Sequence, residues 1–213
     1  MLVDIHTHNP VTPGYTAIRN LTFTEADKIL ASEEEGFFSL GFHPWHAGDF
    51  STGLMDKLSA WATDNRLVAI GECGLDKNSR ASFEVQLPVF KQQIVLSEES
   101  HKPLIIHCVG GFNELFRIKK EMNPHQRWII HGFRGKPELA KQALKAGCAL
   151  SFGEQFNSES VRITPIDRLF VETDESTLPI SGIYHSISMI RNCKVEELTA
   201  GQHLLNRFLQ KGL

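Results

Sequence analysis

The residues best suited to chemistry stand near the start of the chain, in the segment Asp4-Ile-His-Thr-His8. The apolar residues between and before them favour a β-strand, and side chains two residues apart leave a strand on the same face. Asp4, His6 and His8 should therefore point in one direction. Two imidazoles can bind a divalent metal ion, and a carboxylate behind them can orient them. Taken alone, this segment is better explained as an ordinary amino terminus with two surface histidines, because two ligands do not make a metal site.

Further ligand-type residues follow directly after four short apolar runs of the chain. They are Glu72 after residues 67–71, His107 after 103–106, His131 after 127–130, and Asp174 at the end of 168–174. Taken singly, each has a structural explanation: a core histidine, a buried ion pair or a helix cap. Their joint occurrence with His6 and His8 favours a shared metal site, because clustered polar groups are costly to bury without a partner.

The elements that must position these residues are short apolar strands alternating with amphipathic helices. This alternation predicts right-handed parallel βαβ units, and eight such strands fit a closed (β/α)8 TIM-type barrel better than an open sheet. We expect a single domain over residues 1–213. The strands are predicted at 1–8, 15–23, 36–42, 67–71, 103–107, 127–131, 148–152 and 168–174.

In parallel barrels the carboxyl ends of the strands form the active-site face, so the six ligand-type side chains should converge there. Six nitrogen and oxygen ligands are too many for one tetrahedral zinc ion. They suit two adjacent divalent ions, with Glu72 bridging between them and a bound water as the nucleophile. Four histidines favour zinc, manganese or nickel over magnesium.

Composition limits the partners of the chain. Its formal net charge of −3, with 41% hydrophobic and 22% charged residues, gives no general attraction to nucleic acid or anionic membranes. The four cysteines lie far apart, without the spacing of a structural zinc site, and are expected to be reduced thiols. No leader and no run of membrane-spanning length is recognisable. We therefore expect a cytoplasmic protein with no membrane partner and no obligate protein partner.

Several motifs in this order resemble the TatD-related metal-dependent hydrolases, which belong to the amidohydrolase-like barrels. They are Asp4-Ile-His-Thr-His8, Gly41-Phe-His-Pro44, Ile70-Gly-Glu-Cys-Gly-Leu-Asp76, Ile106-His107, His131-Gly-Phe133 and Glu172-Thr-Asp174. The resemblance implies a divalent-metal phosphodiesterase fold whose best-known members cut DNA, commonly from the 3′ end. It also implies that the metal ligands are His6, His8, Glu72, His107, His131 and Asp174.

The chain departs from the family pattern in three places. Val109 stands where family members usually carry an arginine, the segment 175–182 after Asp174 is short, and so is the region between His8 and Gly41. The barrel is thus expected to have shortened early and late loops. The usual surface for nucleic acid is in question, which favours small or single-stranded substrates over long duplexes.

Residues outside the ligand set offer further contacts. His43 is a candidate for bonding a phosphoryl oxygen, with Trp45 beside it as a stacking face, although a proline-stiffened loop packed by an aromatic explains both equally well. Arg134 and Lys136 are the nearest basic candidates for a phosphate, or solvent-facing charges. Glu172 and Asp76 could each orient a ligand from behind.

The favoured function is therefore hydrolysis of small or single-stranded phosphodiesters, DNA ends above all, with Asp174 as general base and Glu72 beside it in the catalytic centre. One alternative is an amidase, esterase or deacylase that attacks a carbonyl at the same metal site. Another is a metal-stabilised scaffold without turnover. Its sign would be a missing ligand, and none is missing.

Overall fold

The computed structural model describes residues 1–11 and 14–209. Its strands are β1 Val3–Thr7, β2 Thr16–Asn20, β3 Phe37–Leu40, β4 Leu67–Asp76, β5 Leu104–Val109, β6 Trp128–Ile130, β7 Ala149–Phe152 and β8 Leu169–Val171. Its α-helices are α1 Phe23–Ile29, α2 Thr52–Trp61, α3 Phe83–Glu99, α4 Phe112–Met122, α5 Pro137–Lys145, α6 Ser158–Ile163, α7 Ile180–Arg191 and α8 Ala200–Leu209. Short 3₁₀ helices lie at Pro44–Asp49, Ile166–Arg168 and Val195–Glu197.

The strands follow one another in the sheet in chain order, β1 to β8. The pairings β1–β2, β3–β4, β4–β5, β6–β7 and β7–β8 are parallel. A parallel bridge between Thr7 and Asp174 links the end of β1 to the segment that follows β8. This order, with helices between the strands, is that of a (β/α)8 barrel and confirms the predicted fold class.

Contacts within the described chain divide it into two compact units. One contains the described parts of Met1–Arg19 and Ile129–Leu213, and the other contains Asn20–Trp128. Each unit has its own buried apolar strands: β1, β7 and β8 in the first, β4 and the first half of β5 in the second. A single domain over residues 1–213 stays a prediction.

Strand β4 differs most from its predicted extent. We expected it to end at Gly71 with Glu72 beyond it, but β4 continues to Asp76 and is buried along its whole length. The prediction was wrong because strand pairing continues past the apolar run, into a buried segment that includes Glu72 and Asp76. The polar continuation is held by pairing with β5, where Gly74 lies opposite His107 and Asp76 opposite Val109.

None of the described helices is both long and apolar enough to cross a lipid bilayer.

Candidate metal centre

The first group of ligand-type residues lies in the unit that contains β1 and β8. The backbone N–H of Asp174 donates to the carbonyl of His6 (2.9 Å), and the N–H of His8 donates to the carbonyl of Asp174 (3.1 Å). These bonds place the Asp174 carboxylate between the two histidines: its Oδ1 lies 3.8 Å from His6 Nε2 and 3.7 Å from His8 Nε2. Asp174 has a φ of 54°, a left-handed conformation uncommon for aspartate and often found at functional sites.

Two further residues extend this group. The ring of His131 lies 4.4 Å from that of His6, measured between centroids. Its Nδ1 is 3.4 Å from Oε1 of the fully buried Glu172, which also accepts a hydrogen bond from Gly132 N (2.6 Å). Burial alone would raise the pKa of Glu172, but the hydrogen bond with His131, helped by His6 and Ser151, keeps this pKa below its ordinary value. Glu172 is thus placed where it could fix the orientation of the His131 ring as a metal ligand.

Asp4 acts on the backbone of this group. Its Oδ1 accepts from Thr173 N (3.0 Å) and His6 N (3.3 Å), and its Oδ2 accepts from Thr173 Oγ1 (2.6 Å). Burial raises the pKa of Asp4 to about 7, against the lowering effect of the Thr173 bonds. The carboxylate therefore fastens β1 to the residue that precedes Asp174, which fixes His6 and Asp174 side by side.

The second group lies in the unit that contains β4 and β5. His107 sits between two carboxylates: Nδ1 is 2.9 Å from Glu72 Oε1, and Nε2 is 2.9 Å from Asp76 Oδ2. Asp76 is buried and also accepts from Asn78 N and Trp45 Nε1, both at 2.7 Å. Burial alone would raise the pKa of Asp76, and the bonds from Asn78, His107 and Trp45 keep it below its ordinary value. An ionised Asp76 is suited to orienting His107.

His43 joins Glu72 more closely than its predicted place at the rim suggests. Its Nε2 lies 3.4 Å from Glu72 Oε1, while its Nδ1 accepts from the backbone N–H of Trp45 (3.1 Å). Because Nδ1 must accept this bond, a neutral His43 carries its proton on Nε2. The ring is therefore arranged as a hydrogen-bond donor and is poorly suited to ligate a metal through Nε2. The sequence signal for this residue was the Gly41-Phe-His-Pro44 turn after the third strand.

The donor atoms fit divalent metal ions. Within each of the triads His6–His8–Asp174, His131–Glu172–Asp174 and His43–Glu72–His107, one atom per residue lies within 4.8 Å of the others. Ligand bonds of about 2.0–2.3 Å place neighbouring donors about 3–4 Å apart, so the 3.7–3.8 Å separations around Asp174 suit one ion. In the third triad the Nε2 proton of His43 makes this residue a poor metal ligand. Glu72 and His107 then remain as the two ligands that this triad can offer. A bridging role for Glu72 stays a prediction.

A cleft of about 130 Å³ opens beside Asp174, within the unit that contains β7 and β8. Arg134 lines it and donates to Gln155 (3.1 Å), while Lys136 lies exposed just before α5. The other lining residues are small, polar or acidic: Gly132, Gly153, Glu154, Gln155, Glu172, Thr173, Asp174, Glu175 and Ser176. Arg134 is thus the one basic residue among the described residues of the lining, and its role with phosphate stays a prediction.

The sequence pattern of the family described as TatD related DNase matches residues 7–194 of the chain. The chain belongs to this family. The match covers five of the six ligand-type residues, and the sixth, His6, lies one residue before the start of the match.

Relatives in the TatD family are similar over most of the chain. An "Uncharacterized metal-dependent hydrolase YabD" of Bacillus subtilis is 31% identical over 72% of this chain and 64% of its own length. A "3'-5' ssDNA/RNA exonuclease TatD" of Erwinia amylovora is 32% identical over 79% of this chain and 76% of its own length. The chain thus spans less than two thirds of the B. subtilis relative.

Solved structures of TatD-family proteins support the fold. A TatD homolog from Escherichia coli k12 superposes with a TM-score of 0.81 at 20% identity, over 96% of this chain and 95% of that one. A hydrolase TatD family protein from Entamoeba histolytica gives a TM-score of 0.75 at 18% identity, over 96% and 97% of the two chains. At this identity the agreement concerns the barrel and not the substrate.

Proposed function

We propose that the chain is a divalent-metal-dependent phosphodiesterase that acts on small or single-stranded DNA ends. The observation that carries this proposal is the placement of Asp174 between His6 and His8, with its carboxylate at ligand spacing from both, in a TatD-family chain. The ligands are His6, His8, Glu72, His107, His131 and Asp174, and we propose that they hold two ions. Zinc, manganese or nickel suits so many imidazoles.

Bound divalent ions would lower the pKa of a water molecule and offset charge on the phosphate oxygens. The residues of the chain then divide the remaining work. Asp174, partly exposed beside the cleft, accepts the proton of the attacking water. His43 donates from Nε2 to a phosphoryl oxygen, and Arg134 contacts a phosphate in the cleft. Glu172 and Asp76 hold His131 and His107 in their orientations.

The substrate proposal draws on relatives and on charge. The E. amylovora relative carries the name of a 3′-5′ exonuclease of single-stranded DNA and RNA. With a net charge of −3, the present chain has little general attraction for a long duplex. No disulfide joins the four cysteines in the described part of the chain, and we propose a cytoplasmic location, where thiols stay reduced.

Hydrolysis of a carbonyl compound is the second candidate, favoured by the charge of the cleft. Glu154, Glu172, Asp174 and Glu175 line it against a single basic residue, Arg134. A neutral amide or ester would enter this acidic cleft without the repulsion that a phosphate meets before metal binds.

One experiment compares single-stranded DNA, bis-p-nitrophenyl phosphate and p-nitrophenyl esters as substrates, with zinc or manganese added and with chelator. We expect metal-dependent turnover of the phosphodiesters and a fall in kcat of about 10²–10⁴-fold in Asp174→Asn, the range for loss of a general base. The matched control is Glu175→Gln, which removes the next carboxylate of the same cleft and should keep nearly full activity. Turnover of esters alone would favour the carbonyl function, and equal losses in both variants would contradict the role of Asp174.

A further inference from the structure

Trp45 combines two properties that rarely occur together: it is exposed and it is held in place. Its accessible surface is 60% of the maximum, the highest exposure among the large aromatic residues of the described chain. More than half of the indole surface therefore faces solvent, where a flat ligand can reach it.

Two contacts hold the indole, and a third holds the backbone before it. Its Nε1–H donates to Asp76 Oδ2 at 2.7 Å, and Asp76 is itself 2% exposed. The Trp45 ring meets the ring of His43 edge to face, with centroids 5.1 Å apart and planes at 89°. The backbone before it is held by Ser79, whose hydroxyl donates to the carbonyl of Pro44 (2.9 Å). A side chain that is already ordered loses little entropy when a ligand binds.

The position of Trp45 relates it to the chemistry. Asp76 contacts both Trp45 and His107, and His43 contacts both Trp45 and Glu72. The indole therefore contacts His43, which the proposed function assigns to a phosphate, and lies one residue away from the proposed metal ligands Glu72 and His107. The two rings lie 5.1 Å apart, so a nucleotide whose phosphate accepts a hydrogen bond from His43 would have its base near the exposed indole.

We propose that Trp45 is the stacking surface for a nucleobase of the substrate, and that it sets a preference for base-bearing phosphates over bare sugar phosphates. This inference rests on the proposed function. Every base has an aromatic face, so stacking of this kind tolerates any sequence, whereas hydrogen bonds to base edges would select one base. The chain would therefore need no sequence-specific contact to retain a single strand.

The test uses metal-loaded protein and measures binding and not turnover. The probes are thymidine 5′-monophosphate and 2-deoxyribose 5-phosphate, which differ by the base alone. Trp45→Phe and Trp45→Leu form a matched pair, because both lose the hydrogen bond to Asp76 while only phenylalanine keeps a ring. We expect Trp45→Leu to weaken binding of the nucleotide about tenfold, within the range of base–aromatic stacking, and to leave binding of the sugar phosphate unchanged. Trp45→Phe should retain most of the preference.

Fluorescence gives a second reading. Of the three tryptophans, Trp128 is fully buried and Trp61 is partly buried in α2. The nucleotide should quench wild-type emission and that of Trp61→Phe, and it should not quench Trp45→Phe. Equal losses for both probes in Trp45→Leu would overturn the inference, since Trp45 would then act only through Asp76. A wild-type protein that binds the nucleotide no better than the sugar phosphate would overturn this inference alone, and one that binds neither would overturn the proposed function with it.

Discussion

Both ring nitrogens of His107 contact a carboxylate. Each of its ring nitrogens lies 2.9 Å from a carboxylate, Glu72 on one side and Asp76 on the other. A neutral imidazole has one N–H, so it can donate to only one of them. If a metal ion takes the Nδ1 side together with Glu72, the Nε2–H remains for Asp76. This is the carboxylate–histidine–metal arrangement common in metalloenzymes.

Replacing Asp76 should therefore weaken metal binding without removing a ligand. We expect Asp76→Asn to lower the affinity for zinc or manganese by about 10–100-fold, because a neutral amide supports His107 less well than a carboxylate. A competition titration with a metal-sensitive dye measures this. Asp49→Asn is the control, since Asp49 is an exposed carboxylate in the nearby 3₁₀ helix. Unchanged affinity in Asp76→Asn would mean that the contact with His107 has no part in metal binding.

At the scale of elements, a close approach of β4 to β5 brings Glu72, Asp76 and His107 together. Gly74 makes it possible: its φ is 138°, and a Cβ at this position would collide with the carbonyl oxygen of His107. A side chain at position 74 would push β5 away from the residues that His107 contacts.

Gly74→Ala should consequently be strongly destabilising. Backbone strain and the displaced strand together should lower the free energy of unfolding by about 2–4 kcal/mol, measured by urea denaturation. The control is Gly53→Ala in helix α2, where no atom beyond the adjoining residues and the helix's own backbone lies within 4 Å of the added Cβ, and alanine should be neutral or stabilise by up to about 1 kcal/mol. Similar unfolding midpoints for the two variants would refute the close-packing explanation.

Another element depends on Arg66, which closes the carboxyl end of helix α1. Its guanidinium donates to the carbonyls of Leu30 (2.9 Å) and Ser32 (2.8 Å) and to Asp64 Oδ2 (2.7 Å). Hydrogen bonding to Arg66 lowers the pKa of Asp64 in the folded protein, against the effect of partial burial. Asp64 therefore aligns the arginine that holds α1.

The pH dependence of the free energy of unfolding should show the contribution of the Asp64–Arg66 pair. Because the pKa of Asp64 is lower in the folded than in the unfolded chain, its stabilisation is complete above the unfolded pKa of about 3.9. It is lost as the pH falls through the folded value. We expect Asp64→Asn to cost about 1 kcal/mol at pH 6, and the difference from wild type to shrink in urea titrations as the pH falls below about 4. A difference that stays constant over this range would contradict the assignment.

At the scale of the whole molecule, the sequence predicted more of the fold than of the site. Alternating apolar strands and helices predicted eight parallel strands, because burial on both faces leaves a clear apolar pattern. The ends of the strands were harder to predict from the sequence. Glu72 lies inside β4, because pairing with β5 continues past the apolar run. The orientation of loop side chains was harder still. The contact of His43 with Glu72 and the bond from Trp45 to Asp76 depend on how one 3₁₀ turn folds back, which no periodicity records.

The last prediction concerns the charge of the chain as a whole. With 22 basic against 25 acidic residues, the chain has no excess of cations for a phosphate backbone. Each phosphate contact to a single strand adds about −0.7 to the slope of log affinity against log salt. Two contacts, from Arg134 and one further cation, would give a slope of about −1.4.

We therefore expect short single strands to be cleaved faster than long duplexes, with a salt dependence no steeper than about −2. The measurement is kcat/KM for a short single strand and for a long duplex over a series of salt concentrations. Bis-p-nitrophenyl phosphate, which makes no contact along a backbone, serves as the control for effects of salt on the metal site. Faster cleavage of the duplex with a slope steeper than about −4 would require four or more phosphate contacts. Such a result would mean that this chain carries a basic surface that neither its net charge nor the lining of its cleft reveals.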